Sequence, residues 1–186
     1  MDNTLTGRAA HMAEIGRKAE AAMADIGVDA DFVDLLVETF YQRIQAHPTL
    51  GPVFDARLTG RWPDHMAKMK RFWSAIAFKN GAYGGKPVQA HTGIDGMQPA
   101  LFTDWLTLFS ATLDDIAPTP EAKAWFMTSA ERIAKSLFLS LFYNPALEDP
   151  ARADGVCGQT GLAGTLCHHP QRLAKACATN ANPWPQ

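Results

Sequence analysis

Three features of this sequence predict an all-α domain. Apolar residues recur at three- and four-residue spacing in one segment after another, prolines and glycines part those segments, and no alternating strand pattern occurs in the 186 residues. The pattern predicts five or six helices with short connections, packed as crossed layers or as a bundle. With 47% hydrophobic and 19% charged residues, the chain has the balance of a globular domain with a full core.

In residues 8–25, Met12, Ile15, Ala19 and Met23 mark a weakly amphipathic, peripheral helix, with His11 solvated. After Gly27, Asp29 or Asp31 caps a second helix whose apolar face carries Val33, Val37, Phe40, Tyr41 and Ile44, ending before His47-Pro48. The next stretch, PTLGPVFDARLTG, is broken by two prolines and two glycines and is expected to form short turns that hold Phe54 as an aromatic wedge. From Trp62 the helical spacing returns through Met66, Met69, Trp73 and Ile76, with His65 bordering the stripe one turn before Met69 and two before Phe72. Gly81, Gly84 and Gly85 stop this helix, and Pro87 opens a turn or so of new helix carrying His91. Between Pro99 and Pro118, a face of Phe102, Trp105, Leu106, Phe109, Leu113 and Ile116 turns Trp105 inward. Thr119-Pro120-Glu121 starts the last helix, which runs to Tyr143 on a wide apolar face before Asn144-Pro145.

Composition shifts after Leu147, so residues 1–147 form the expected domain and residues 148–186, rich in Ala, Gly, Pro, Thr and Asn, a disordered tail. Cys157, Cys167 and Cys177 all fall in the tail with His168 and His169, but they form no C-x-x-C pair and read as unpaired thiols. No disulfide holds the core. A formal charge of −2 with scattered lysines and arginines argues against nucleic acid or an anionic membrane as partner. Residues 1–25 lack the apolar core of a signal peptide, and no run approaches a membrane-spanning length, so a cytoplasmic protein is expected.

The chemistry concentrates between Trp62 and His91. His65 and His91 lie among large apolar residues that include Met69 and Phe72, with no cluster of Cys, Asp or Glu to complete a tetrahedral zinc site. Such a pocket suits a flat apolar cofactor whose metal keeps one open coordination position. Tyr41 carries a hydroxyl on a buried face; it either bonds to a backbone carbonyl or points at a ligand.

Taken together, FYQRIQAHPTLGPVF, RWPDHMAKMKRFW, PVQAH and WLTLF resemble the third group of bacterial truncated haemoglobins, over about residues 8–147. The resemblance implies a truncated globin fold, a shortened helical sandwich around haem b; with no C-x-x-C-H in the chain, attachment is non-covalent. By that resemblance His91 matches the proximal iron ligand, and Tyr41, His65 and Trp105 match the distal tyrosine, histidine and tryptophan. Phe54 matches the aromatic residue wedged against the haem, while Lys68 and Tyr83 lie where propionates could emerge. The ligands then expected are dioxygen, nitric oxide, peroxide or another small molecule. No room remains for a reductase domain beside the globin, so turnover would draw on an external reductase. Three functions stand open: a redox haem protein acting on peroxide or nitric oxide, a non-catalytic carrier or sensor, and an all-α interaction module without cofactor.

Overall fold

The computed structural model describes residues 3–143, with side chains from residue 7 onward. Seven helices follow one another: α1 (Asn3–Ala24), α2 (Ala30–Ala46), α3 (Leu50–Leu58), α4 (Trp62–Phe78), α5 (Pro87–His91), α6 (Ala100–Ile116) and α7 (Pro120–Phe142). No strand occurs among the described residues, so the all-α expectation holds. The sequence-predicted tail and its cysteines lie outside the described residues.

Two local expectations are corrected. The stretch read as short turns is the nine-residue helix α3, which raises the helix number from five or six to seven. Pro52 falls in its first turn, where a missing N–H costs nothing, so this proline helps to open a helix rather than break one. Nor do glycines end α4. Lys79 does so, in the left-handed region at φ 51° with its N–H donating to Ala75 O.

Side-chain caps start α2 and α7. Asp29 accepts from Phe32 N at 2.8 Å to start α2, and His47, before Pro48, takes the extended backbone that ends it. Thr119 accepts from Ala122 N at 3.1 Å and donates to Ile26 O at 2.9 Å, so one hydroxyl both starts α7 and ties it to the α1–α2 turn. Gly27 in that turn has φ +77°, and a Cβ there would meet Pro118 at 3.1 Å.

α2 is the hub, packing against α3, α4 and α6; α7 packs on α6, α1 on α4, and α5 on α7. Phe40, Trp73, Phe109 and Phe126 are fully buried at its centre together with Leu36 and Ile44. Phe40 meets Phe109 edge-on at 4.9 Å, whereas Trp73, Phe109 and Trp105 stack nearly parallel at 5.2 and 5.1 Å. Trp73 and Trp105, the two indoles of that stack, both line a cavity.

Candidate functional site

The cavity has a volume of about 390 Å³, within the range of small-molecule and cofactor sites, and draws its lining from α2 through α7 and the α4–α5 loop. Tyr41, Phe54, His65, Lys68, Met69, Phe72, Tyr83, His91 and Trp105, separated by up to 64 positions in sequence, all line it. Arg57 and Arg61 join Lys68 in the lining, so three cations and the single acid Asp64 accompany mostly apolar walls.

His91 comes from α5, a five-residue helix with no fully buried residue of its own. Its Nδ1 lies 2.7 Å from Pro87 O. A carbonyl can only accept, so Nδ1 carries the proton and Nε2 is left with a free lone pair. Nearby, a Cβ at Gly85 would collide with the Tyr83 ring, so only glycine lets Tyr83 fold back there; its ring meets Phe72 edge-on at 5.0 Å. Burial raises the Tyr83 phenol above its ordinary range.

Other walls come from α2, α3, α4 and α6. Tyr41 is almost wholly buried, and its hydroxyl has no hydrogen-bond partner among the described residues. Burial first, and Tyr83 second, push its phenol far above its ordinary value, which keeps it protonated and able to donate. The His65 ring stands 5.0 Å from Tyr41, and its Nε2 is buried without a partner among the described residues. Burial first, then the neighbouring Lys68 and His91, push this imidazole down to about 4, so it is neutral at pH 7. The Trp105 indole is likewise without a described partner, and its ring packs on Phe40 at 5.2 Å and on Phe109. Tyr41, His65 and Trp105 thus line one cavity, and His65 Nε2 departs from the usual rule that buried polar atoms are paired.

Among the described residues no group of three or more His, Cys, Asp or Glu could hold a metal ion, and no described helix is long and apolar enough to cross a membrane. The chemistry of one imidazole lone pair beside a mostly apolar cavity suits a metal already chelated by a planar ring. Sequence reasoning missed Arg57, Arg61 and the wall residues of α7, among them Ile133 and Leu137. Arg57 lies on α3 and Arg61 just before α4, so no periodicity in the sequence pointed to the pair.

Seven described helices around a cavity, with one histidine on the short helix α5, match the truncated globin fold. The likeness is to the group III truncated haemoglobins. Group 3 truncated hemoglobin ctb of Campylobacter jejuni is 29% identical over 119 residues, which cover 62% of this chain and 92% of that protein. The crystal structure of a group III truncated hemoglobin from Campylobacter jejuni superposes with a TM-score of 0.58 at 26% identity, covering 62% of this chain and 93% of that one. No family model matches the chain.

Proposed function

We propose that the cavity holds a non-covalent b-type haem on His91 and that the protein binds dioxygen or another small ligand there, with redox turnover of peroxide or nitric oxide. The observation that carries this reading is the pairing of one unencumbered imidazole Nε2 on α5 with the unpartnered Tyr41 hydroxyl, His65 Nε2 and Trp105 indole on other walls. A haem iron tied to one imidazole supplies an open coordination position and one-electron chemistry.

The protein's own residues do the rest. Met69, Phe72 and Phe54 supply apolar surface that excludes water from the ring faces, and Lys68, Arg57 and Arg61 offer charge to its carboxylates with help from the Tyr83 hydroxyl. Tyr41 and Trp105 line the same cavity, and each carries a donor, Oη and Nε1. Each stabilises a ligand with partial negative charge by roughly 0.5–1.5 kcal/mol, or 1.5–3 kcal/mol where the charge is well developed. His65 Nε2, neutral at pH 7, either accepts a proton from a hydroperoxide or shields the space when no ligand is present. Electrons come from an external reductase.

The second reading is a carrier or sensor without turnover. Two fixed donors on one cavity favour it, because they slow ligand release. Absorption spectra of the purified protein, ferric and ferrous, test the haem. Tyr41→Phe tests the donor: oxygen is expected to leave roughly ten- to a hundredfold faster if its bond is of the charged kind, while carbon monoxide release changes little. Trp105→Phe shifts release the same way, and the double substitution departs from additivity. Equal small effects on both gases would remove Tyr41 from the site chemistry. Slow oxygen release without peroxide- or nitric oxide-dependent turnover would select the carrier or sensor.

A further inference from the structure

His65 is enclosed by aromatic rings, and one of them is held by a hydrogen bond from outside the cavity. Tyr41, Phe54 and Trp62 stand around the imidazole at 5.0, 6.4 and 6.1 Å, with interplanar angles between 73° and 89°. Trp62 lies one helical turn before His65 on α4, so the two share a face. Its ring stacks on Phe54 at 6.4 Å and 17°, and its Nε1 donates to Asp55 Oδ1 at 3.0 Å. The short turn between α3 and α4 makes that reach possible. Thr59 N and Oγ1 both bond to Asp55 O, Gly60 takes φ +72°, and α4 begins two residues later.

Packing alone does not fix the indole. Trp62 is half-buried, and with Tyr41 and Met66 it borders a surface notch of about 230 Å³ between α2 and α4. A large ring with open space on one side keeps its orientation through its polar tip. That tip is bonded to Asp55.

We infer that Trp62, pinned by the Asp55 carboxylate, is a positioning residue that keeps the His65 imidazole packed against Tyr41 and inside the cavity. Release of the pin lets the indole turn into the notch. His65 then loses one side of its enclosure and leaves the cavity more of the time, which widens the path for a small neutral molecule. The kinetic consequence rests on the haem reading. The arrangement of the rings does not.

Two measurements keep these apart, both on the full chain as purified and carbon monoxide-saturated. Nuclear magnetic resonance follows the Trp62 indole N–H, assigned by its disappearance in Trp62→Phe, and its proximity to the His65 ring. Flash photolysis follows carbon monoxide association. Asp55→Ala is expected to speed exchange of the Trp62 N–H with solvent, weaken the Trp62–His65 contact and raise the association rate severalfold. Asp55→Asn, which retains an oxygen acceptor, stays near the parent protein. Trp62→Phe, which keeps a ring but no donor, reproduces the kinetic effect of Asp55→Ala, and combining the two adds nothing further. The inference is overturned if Asp55→Ala lowers the melting temperature yet leaves the ring contact and association rate unchanged, or if Asp55→Asn behaves like Asp55→Ala. A protein that takes up no haem but shows the expected change in ring contact would retain the positioning role and sink the haem reading alone.

Discussion

The two cavity histidines owe their different characters to one carbonyl in one case and to burial in the other. At His91 the Pro87 carbonyl fixes the proton on Nδ1, leaving Nε2 free for the proposed haem iron, and α5 carries no second imidazole. His91→Ala is therefore expected to purify with little haem; a full complement with an unchanged ferrous carbonyl spectrum would show that the group is held elsewhere. At His65 burial dominates, and the folded value of about 4 lies below the ordinary 6.5. Between those values the unfolded chain binds more protons, so the buried neutral ring contributes stability that is full above pH 6.5 and lost as pH falls through about 4. Replacing His65 with Leu should flatten the pH dependence of urea unfolding across that window, where one such group changes stability by at most ~1.4 kcal/mol per pH unit. An unaltered slope would assign the dependence to other groups. Both histidines were legible because each sits beside a strong local pattern, the α4 stripe or the glycine-rich break before Pro87. Asp55 and Trp62 were not legible as a pair. Their bond spans seven positions across a turn whose geometry depends on a helix the sequence pattern concealed.

At the level of the helix, caps matter more than intrinsic propensity. α7 is the clearest case. Its start was readable from Thr119-Pro120-Glu121, but the second bond of the same hydroxyl, to Ile26 O 93 positions away, was not. Thr119→Ala removes both bonds and should cost about 1–2 kcal/mol in urea unfolding, while Thr119→Ser restores most of it. An equal loss in both variants would point to the methyl group instead. α3 was hidden for a related reason. Prolines and glycines normally punctuate turns, and only the position of Pro52 within the first turn makes it compatible with a helix. The bounds of α2, α4, α6 and α7 came within a residue or two because each has a continuous apolar face and a proline or capping side chain at an end.

Across the whole domain, stability and cavity are built from different parts. The fully buried aromatic residues lie on α2, α4, α6 and α7, which pack on one another, whereas α5 has no buried residue and packs chiefly on α7. A ligand that fills the cavity stabilises the folded state by mass action, by about 4 kcal/mol at a thousandfold excess over its dissociation constant. Removal of haem should therefore lower the melting temperature, and hydrogen exchange should accelerate first at residues 79–99, with α2 and α6 still protected. Uniform acceleration over every helix would mean that the cofactor is integral to the core. The fold class was legible because periodicity is a property of each segment by itself. The cavity was legible only in part, since which faces meet is decided by crossings that no single segment encodes; hence Ile133 and Leu137 read as plain core residues in the sequence and line the cavity in the fold.

The parallel stack of Trp73, Phe109 and Trp105 also gives the protein an optical property. Trp73 is 2% exposed, so its excited state meets no water and its emission is blue-shifted; through Phe109 it stands one ring away from Trp105, at the cavity wall. A strongly absorbing ring in that cavity lies close enough to take up the excitation of both indoles before they emit. Filling the cavity with such a ring is therefore expected to dim the emission of Trp73 and Trp105, and a titration followed by intrinsic fluorescence checks it.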